Sequence, residues 1–496
     1  MSLYGDQEQT FSVNREGLLR ELDKILPDDA LLYEREDLTP YECDGLSAYR
    51  QLPMVVAIPS TIDQVQAIMR ICYERDVPVV ARGAGTGLSG GALPHHQGVL
   101  LSLARFKSIL DIDTRNRTAV VQPGVRNLAI TEAAARHRLY YAPDPSSQIA
   151  CSIGGNVAEN SGGVHCLKYG LTVHNILKLK MVTVEGELIT IGSDALDSAG
   201  YDLLALMTGS EGMLGVIVEV TVKLLPTPER AQVILAAFDD VEKAGAAVGD
   251  IIAEGIIPAG LEMMDRLAIQ AAEDFVHAGY PLDAEAILLC EVDGTNEEVS
   301  DHIAAVRNVL TRSGATEVRT ARDEAERANF WQGRKAAFPA VGRISPDYYC
   351  MDGTIPRKHL PEVLRGISEL SQEYGLRVAN VFHAGDGNLH PLILYDANRE
   401  GELEKTEAFG GKILELCVEV GGTITGEHGV GMEKINQMCV QFQSAELTQF
   451  HAVKHAFDEK GLLNPGKAVP TLHRCAEFGA MHVHHGKLPF PELERF

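Results

Sequence analysis

The apolar positions between residues 54 and 82 follow a strand–helix–strand pattern. The short apolar runs MVVAIP and PVVAR predict two buried strands. Apolar residues between the two runs recur at helical spacing, and they are Val65, Ile68, Met69 and Cys72. Ser60 and Thr61 precede this stretch and can cap a helix that runs to about Arg75. The pattern predicts an α/β layer.

The pattern changes twice farther along the chain. From about 98 to 230, short strands alternate with glycine-rich loops and one helix near 126–138, which predicts an α+β nucleotide-binding domain. After Pro226 the chain turns to Ala-rich helices and apolar strands, and long helices near 297–313 and 361–374 are each followed by a strand. These predict an antiparallel sheet backed by helices. The predicted domains are an N-terminal helical segment (1–50), a cofactor domain (51–228), a substrate-binding cap domain (229–442), and a C-terminal helix, turn and tail that pack back on the cofactor domain (443–496).

The charge balance limits the expected partners. The chain has 44 basic and 69 acidic residues, a formal net charge of −25. Such a charge repels phosphate backbones and anionic lipid surfaces, so no nucleic-acid partner is expected. No apolar run approaches the roughly 20 residues of a membrane span, and the first residues lack the pattern of a signal peptide. We therefore expect a cytoplasmic protein that reaches a membrane only through partner subunits.

Nine cysteines are scattered singly along the chain, without a C-x-x-C pair. This spacing indicates neither a disulfide framework nor a zinc or iron–sulfur cluster, and the cysteines are expected to be reduced core residues. Electrons collected by this chain would then have no second redox centre on it.

Strand PVVAR leads directly into a loop with five glycines, RGAGTGLSGG. Missing side chains let backbone N–H groups approach a phosphate, so a nucleotide cofactor is the first inference. Residues 85–90 also match G-x-G-x-x-G, and Asp111 follows about 20 residues later, so an NAD site of the Rossmann type is an alternative. A Rossmann loop must open a helix, however, and here the continuation ALPHHQG leads to a strand. This context disfavours NAD.

Two more small-residue segments follow, at 152–163 and 209–215, and the rigid turn 142–147 precedes the first of them. Each segment by itself is typical of a turn. Three such loops in one domain favour a long dinucleotide, because separate phosphate, ribose and ring systems need contacts from several places.

The segments RGAGTGLSGG, PDPSSQ, GGNVAENSGG and GSEGMLGV resemble the loops of the FAD-binding domain shared by vanillyl-alcohol-oxidase-type flavoproteins. The similarity continues through HAGDGNLH, GEHGVG and NPGK to the C-terminal tail. Within the FAD-linked oxidases it is greatest to the flavoprotein D subunits of bacterial glycolate oxidases. The resemblance implies an α+β fold, with a two-part FAD-binding domain of that type and a substrate-binding cap domain.

The resemblance also implies how FAD is held. Covalent members often carry a histidine in the first loop, where this chain has Leu88 and Ser89, so noncovalent FAD is expected. The residues that the resemblance assigns to FAD are Arg82, Gly83, Ala84, Gly85, Thr86, Gly87, Leu88, Ser89, Gly90, Gly91, Pro143, Asp144, Ser146, Gly154, Gly155, Asn156, Asn160, Ser161, Gly162, Glu211, Gly212, Gly215, Val216 and Asn464.

Two histidines are predicted to face each other across a β-hairpin. Strand RVANVF, the Asp-Gly pair at 386–387 and strand LHPLILY form the hairpin, since Asp-Gly favours a two-residue turn. In that register Gly385 pairs with Asn388. His383 then lies opposite His390, with Cβ atoms about 5 Å apart. A lone histidine is usually a satisfied polar group, but two at this spacing can share one metal ion.

Glu427 and His428 lie in the glycine-flanked segment 425–431 and can complete a catalytic site. Two histidines and one carboxylate form a common open metal site. Together with the resemblance, this predicts a divalent metal on His383, His390 and Glu427, with zinc, iron and manganese left open. His428 is the predicted base, because a metal lowers the pKa of a bound hydroxyl and a histidine can take its proton.

The resemblance places Arg334 on the substrate carboxylate, for which a guanidinium offers a bidentate fork. Without the resemblance, a solvated helix residue is the favoured interpretation of Arg334. Asn388 is a predicted hydrogen-bond donor to the substrate. Relatives that act on dicarboxylates have a lysine near the position of Cys350, so a small monocarboxylate is expected. The implied reaction is FAD-dependent oxidation of a 2-hydroxy acid, glycolate first and D-lactate also.

The resemblance further implies an iron–sulfur subunit and a second flavin-domain-like subunit, which receive the electrons and feed membrane quinone. The alternatives are a D-lactate dehydrogenase that acts without partners, an NAD-dependent dehydrogenase, and a non-enzymatic metal-binding scaffold. The tail histidines at 473, 482, 484 and 485 are expected in an interface or a solvated segment rather than in a metal site.

Overall fold

The structure is a computed structural model that describes residues 11–195, 199–471 and 475. The tail histidines at 473, 482, 484 and 485 lie outside these residues. Three sheets of four or more strands organise the described chain. Within the same residues, no helix combines the length and the apolar character that crossing a membrane requires.

The first sheet has four strands in the order β1-β2-β4-β3. Its elements are α1 (Arg15–Leu22), β1 (Leu31–Leu32), α2 (Arg35–Leu38), β2 (Val55–Ala57), α3 (Ile62–Glu74), β3 (Val79–Arg82) and β4 (Val99–Ser102). Strand β4 runs parallel to β2 and β3, whereas β1 is antiparallel to β2. Thr61 caps α3 through a capping box with Gln64, and the four apolar residues predicted on α3 are buried. The predicted α/β layer is confirmed.

The second sheet is antiparallel and has five strands in the order β5-β6-β10-β8-β9. The elements of this region are β5 (Ile109–Asp113), β6 (Thr118–Val121), α4 (Asn127–Ala134), β7 (Leu139–Tyr140), α5 (Ile153–Glu159), α6 (Cys166–Tyr169), β8 (Ile176–Val182), β9 (Leu188–Gly192), α7 (Leu203–Met207), β10 (Val216–Lys223) and β11 (Leu225–Pro226). Val216 and Val218 of β10 pack in the core of the first sheet, while Val220 and Val222 pack on the second. Strand β10 therefore joins the two sheets into one two-part unit.

The third sheet is antiparallel and has seven strands in the order β15-β12-β14-β13-β18-β20-β16. The elements of this region are β12 (Arg230–Phe238), α8 (Val241–Ala253), β13 (Gly260–Asp265), α9 (Arg266–Val276), β14 (Ala286–Gly294), α10 (Asn296–Arg312), β15 (Glu317–Thr320), α11 (Glu324–Val341), β16 (Asp347–Cys350), β17 (Gly353–Thr354), α12 (Leu360–Tyr374), β18 (Val378–Phe382), β19 (Asn388–Leu389), β20 (Pro391–Tyr395), α13 (Glu402–Glu419), α14 (Ile435–Gln441) and α15 (Ser444–Phe457). The predicted antiparallel sheet backed by helices is confirmed.

Helices cover both faces of the third sheet. Successive side chains of a strand point to opposite faces, so one strand contributes to the core on each side. Along β12, Ile234 and Ala236 belong to a core with α8, α10, α12 and α13. Val233 and Leu235 belong to a second core, formed with α9 and α11. The site described below lies at one end of strands β16, β18 and β20, where α11 and the loops around residues 352, 383–390 and 425–431 meet the two-part unit.

The hairpin that carries the two histidines differs from the predicted one. Its backbone register pairs His383, not Gly385, with Asn388, and a four-residue loop replaces the predicted two-residue turn. The loop closes with a hydrogen bond from the Gly387 N–H to the His383 carbonyl (3.1 Å), and Gly387 has a φ of +84°. The prediction that His383 lies directly opposite His390 is therefore wrong. The register differs by two residues, which preserves the face, so the two side chains meet as diagonal neighbours.

The prediction that all nine cysteines are reduced is wrong for two of them. Cys439 of α14 forms a disulfide with Cys475, 36 residues later, with Cα atoms 5.2 Å apart. The other seven are free; Cys43 is half-buried and the remaining six are buried. Single cysteines at this separation carry no local pattern that indicates pairing, because only the tertiary fold brings them together.

Candidate functional site

A cleft of about 480 Å³ is lined by residues from all three glycine loops of the two-part unit and by residues of the third-sheet region. The predicted FAD residues that line it are 82–88, Gly91, Ser146, Gly154, Gly155, Asn156, Ser161, Glu211, Gly212 and Gly215. On the other side the cleft is lined by Lys335, Phe338 and Pro339 of α11 and by His390, Glu427 and His428. One cavity thus contains the predicted cofactor loops, two predicted metal ligands and the predicted base.

The first glycine loop has the form of a cradle. An added Cβ at Gly83 would overlap the Ser152 hydroxyl of the second loop, so side chains are excluded where the two loops meet. Residues 83–98, all described, contain no helix, and the chain passes directly from β3 to β4. A Rossmann NAD site needs a helix at this point, so the loop does not have that geometry. A long nucleotide such as FAD fits a cradle built from several loops.

The remaining predicted FAD residues do not line the cleft, and they are Ser89, Gly90, Pro143, Asp144, Asn160, Gly162, Val216 and Asn464. Several of them tie loops together. The Asn464 amide donates to the carbonyls of Gly91 and Glu211 (2.9 and 2.7 Å), and the Ser89 carbonyl accepts the N–H of Met432 (2.9 Å). Their contact with FAD stays a prediction.

His383, His390 and Glu427 come together as predicted for a metal site. Glu427 Oε1 lies 3.4 Å from His383 Nε2 and 3.3 Å from His390 Nε2, and the two rings are 5.0 Å apart. Although burial opposes it, His383 and the neighbouring histidines lower the pKa of Glu427 to about 2. The Glu427 side chain is therefore an anion that faces two imidazole nitrogens.

The donor set fits a divalent metal. His383 Nδ1 lies 2.9 Å from both carboxylate oxygens of Glu262, which leaves Nε2 to face Glu427. A carboxylate on the far nitrogen is the usual way to orient a metal-binding histidine. Both ring nitrogens of His390 are buried without a hydrogen bond to any described residue, so this imidazole has a free coordination position. Glu262 was missed by the sequence reasoning, although a charged residue inside the apolar strand GLEMMD indicates a buried, paired carboxylate.

Asp352, between β16 and β17, holds the segment that carries Glu427 and His428. Its carboxylate is fully buried and lies 3.4 Å from His390 Nε2. Its hydrogen-bond donors are the backbone N–H groups of Gly426, Glu427 and His428, Thr425 Oγ1, Asn388 Nδ2 and Lys434 Nζ. Although burial raises it, the neighbouring His428 and Lys434 side chains hold the pKa of Asp352 well below its ordinary value. The sequence reasoning did not find Asp352.

We expect Asp352→Asn to destabilise the fold by about 3 kcal/mol, because the buried Lys434 ammonium loses the charged carboxylate to which it is hydrogen-bonded. Urea unfolding measures the change. Asp239→Asn, which removes an exposed partner of Lys243, is the matched control and should leave the free energy of unfolding nearly unchanged. Equal effects of the two substitutions would show that Asp352 does not hold this segment.

His428 stacks on His390, with the rings 4.8 Å apart and 3° from parallel. Its Nδ1 is buried without a hydrogen bond to a described residue, and its Nε2 lies 3.9 Å from Glu427 Oε1. Burial lowers the pKa of His428 to about 4, and His390 and Lys434 add to this against the opposing charge of Asp352. The ring is therefore neutral at pH 7 and keeps a lone pair that can accept a proton.

Arg334 and Asn388 lie next to the ligands but not on the cleft wall. Arg334 is 1% exposed, and its Nη2 lies 2.6 Å from Glu262 Oε2, the carboxylate that also binds His383. Arg334 Nε is buried without an acceptor among the described residues. The Asn388 amide donates to Asp352 (2.8 Å) and to Thr354 (3.3 Å). Their predicted contact with a substrate stays a prediction, and the cation of α11 that lines the cleft is Lys335.

Segment 425–431 is fastened directly to the glycine loops. Both carboxylate oxygens of Glu211 accept backbone N–H groups, from Val430 and Gly431, at 2.7 Å. The Gly162 N–H donates to Glu427 Oε2 (3.0 Å). These bonds fix the predicted metal ligand and base against the wall of the predicted FAD site.

Gly431 is needed for this contact. It has a φ of +53°, and an added Cβ would overlap the carbonyl oxygen of Ser89 in the first glycine loop. We expect Gly431→Ala to cost about 2–4 kcal/mol of stability, from the left-handed backbone and the overlap together, and to weaken flavin retention. Gly401→Ala is the matched control, because Gly401 has a φ of +79° but nothing within 4 Å of its added Cβ. Thermal unfolding and flavin absorbance of the purified variants check both expectations, and a Gly431→Ala protein as stable and yellow as the control would contradict them.

Comparisons with known proteins show the family of the chain and its fold. A family model described as "FAD binding domain" matches residues 53–192, and one described as "FAD linked oxidases, C-terminal domain" matches residues 227–468. The chain is 70% identical over 484 residues to "Glycolate oxidase subunit GlcD" of Escherichia coli (strain K12), covering 98% of this chain and 97% of that protein. It is 39% identical to the Bacillus subtilis (strain 168) protein of that name, over 86% and 91% of the two chains. It is 32% identical to "D-lactate dehydrogenase" of Anaerostipes hadrus, over 91% and 96%.

Solved structures share the fold at low identity. p-Cresol methylhydroxylase aligns with a TM-score of 0.77 at 16% identity, covering 92% of this chain and 97% of that one. The 4-ethylphenol oxidase of Gulosibacter chungangensis aligns with a TM-score of 0.77 at 17% identity, covering 93% and 99%. The predicted fold, a two-part FAD-binding domain of the vanillyl-alcohol-oxidase type with a cap domain, is confirmed. The chain belongs to the FAD-linked oxidases.

Proposed function

We propose that the chain catalyses FAD-dependent oxidation of a small 2-hydroxy acid, most of all glycolate to glyoxylate. The observation that carries this proposal is the shared cleft, where the cradle for a nucleotide adjoins His390, Glu427 and His428. The names of the E. coli and B. subtilis relatives support glycolate as substrate. The D-lactate dehydrogenase relative supports D-lactate, oxidised to pyruvate, as a second substrate.

The reaction requires a hydride acceptor, a group that lowers the pKa of the substrate hydroxyl, and a base that accepts its proton. FAD, bound noncovalently in the cradle, would accept the hydride that leaves carbon 2 of the substrate. A divalent metal on His383, His390 and Glu427 would lower the pKa of the substrate hydroxyl. His428 presents Nε2 toward the ligands, 3.9 Å from Glu427 Oε1, and there accepts the hydroxyl proton. Segment 425–431 keeps this ring in place through Asp352 and Glu211.

Arg334 and Asn388 keep their proposed roles toward the substrate. The Arg334 Nε, buried without an acceptor among the described residues, suits a carboxylate oxygen, because an unpaired buried donor is costly. The Glu262 carboxylate orients Arg334 and His383 together. The Asn388 amide donates a hydrogen bond to Asp352, the carboxylate that also holds the segment carrying His428.

We propose that the electrons leave through partners, an iron–sulfur subunit and a second flavin-domain-like subunit. The E. coli and B. subtilis relatives are each named as a subunit, which supports an assembly. The formal charge of −25 opposes direct contact with anionic lipid, which supports a cytoplasmic position that is peripheral to the membrane through those partners.

Anaerobic flavin bleaching tests the proposed function. The purified protein should be yellow and should lose its flavin absorbance when glycolate is added, and D-lactate should bleach it as well. L-Lactate is the matched control, because it differs from D-lactate only in configuration at carbon 2, and it should bleach the flavin far more slowly. A colourless protein that needs added nicotinamide, or a yellow protein that no 2-hydroxy acid bleaches, would contradict the proposal.

A further inference from the structure

A second cavity of about 670 Å³, the outer chamber, opens beside the cleft. One face of α11 forms part of its wall through Arg327, Trp331 and Lys335, which follow one another at intervals of four residues. Asp144 and His165 of the two-part unit line it from the other side. The outer chamber therefore lies between the same two parts of the chain as the cleft.

The two cavities meet at Lys335. Lys335 is the one described residue that lines both of them, and α11 continues from it into the cleft with Phe338 and Pro339. Phe338 packs against His390, with the rings 6.1 Å apart. Opposite α11, Asp144 lines the outer chamber and the next residue, Pro145, lines the cleft. Helix α11 and this turn therefore form the two walls of a junction.

The cations of the outer chamber differ in whether they are paired. Arg327 lies 2.7 Å from Glu291 and 2.7 Å from Glu324. His165 lies 2.9 Å from Asp144 and 3.2 Å from Glu291, and these carboxylates hold its pKa well above the ordinary value although burial opposes them.

Lys335, by contrast, is exposed and has no hydrogen bond or ion pair with any residue that the structure describes. Arg334, the neighbouring cation, is already paired with Glu262. The Lys335 ammonium at the junction can therefore form an ion pair with a carboxylate ligand.

We infer that the outer chamber is the entrance for the carboxylate substrate and that Lys335 is the positioning residue which draws the carboxylate through the junction. The inference rests on the proposed function for the substrate class. An unpaired cation at this junction raises the local concentration of an anion, and salt weakens this attraction. Because Lys335 acts before the reacting complex forms, it should affect kcat/KM and leave kcat nearly unchanged.

Two variants, Lys335→Met and Lys335→Arg, test the role of the positive charge of Lys335. Both are assayed with glycolate and an artificial electron acceptor. We expect Lys335→Met to lower kcat/KM by about tenfold at low ionic strength, with less than a twofold change in kcat, and the loss should shrink as salt is added. Lys335→Arg should keep most of the wild-type kcat/KM. Lys405→Met, an exposed lysine of α13 that lines neither cavity, is the matched control. An unchanged kcat/KM in Lys335→Met, or an equal fall in kcat, would overturn the inference.

The passage itself is tested by filling the outer chamber. Gln332 lines the outer chamber from the exposed side of α11, and Gln332→Trp should lower kcat/KM without a change in flavin content. Gln372→Trp, on the exposed side of α12, is the control for the bulky substitution. Equal kcat/KM values for the two Trp variants would overturn the entrance.

Wild-type bleaching separates this inference from the proposed function. If 2-hydroxy acids bleach the wild-type flavin and Lys335→Met behaves like wild type, only the inference fails. If no 2-hydroxy acid bleaches the wild-type flavin, the proposed function fails, and acetate titrations followed by flavin absorbance then decide whether Lys335→Met binds a carboxylate more weakly. Equal acetate affinity of the two proteins would overturn the inference by itself.

Discussion

His428→Gln should slow flavin reduction by saturating glycolate by a factor of about 10²–10⁴, the range that a positioned general base contributes. Glutamine has a similar size but cannot accept the proton, and the backbone N–H that Asp352 holds is retained. Flavin and metal contents should match the wild-type protein, because the assigned metal ligands His383, His390 and Glu427 are unchanged. Stopped-flow bleaching under anaerobic conditions measures the rate.

His302→Ala, on α10 outside the cleft, is the control for this substitution and should leave the rate unchanged. A His428→Gln protein that keeps its flavin and metal and is reduced at the wild-type rate would remove His428 from the mechanism. Loss of flavin from the variant would instead indicate a structural contribution, and a second variant, His428→Asn, would separate the two roles by its flavin content.

Glu427→Gln should have the second large effect, a fall of at least about 100-fold in metal affinity, with loss of activity in proportion. The amide removes the anion that faces His383 and His390 while keeping the shape of the side chain. Metal analysis of the purified variant and bleaching by glycolate measure the two losses. Added divalent metal should restore chelator-treated wild-type protein but not the variant.

Glu419→Gln, an exposed position at the end of α13, is the matched control for the loss of one carboxylate. It should keep the metal content and the rate of the wild-type protein. An active Glu427→Gln protein with full metal content would show that Glu427 is not a ligand.

The local sequence pattern predicted helices and strands well, because each of these elements depends on the spacing of a few nearby residues. The capped helix α3 and the strands on either side of it follow directly from apolar spacing and the Thr61 cap. The hairpin shows the limit of this reasoning. The Asp-Gly pair suggested a two-residue turn, but the structure has a four-residue loop. This loop also contacts the rest of the fold, for example through the hydrogen bond from the Gly385 N–H to the Leu261 carbonyl (2.9 Å). The two imidazoles still meet because a shift of two residues leaves the side chains on the same face.

The buried charges around the site could not be derived from local pattern. Asp352, Glu262 and Lys434 are distant in sequence from most of their partners, and only the tertiary fold pairs them. Nor could the sequence distinguish Arg334, which is buried and paired with Glu262, from Lys335, which lines the cleft. The orientation of adjacent residues on α11 depends on the packing of the whole helix. The disulfide between Cys439 and Cys475 was missed for the same reason.

We propose that one cleft holds both a flavin and a metal, with His428 beside them. A crystal structure of the metal-loaded flavoprotein, with anomalous scattering measured at the metal absorption edge, tests it most directly. We predict an anomalous peak bounded by His383 Nε2, His390 Nε2 and Glu427 Oε1, and flavin density against the Gly83 loop of the same cleft. A metal peak bound by other residues, or flavin density outside the cleft that these ligands line, would contradict the claim.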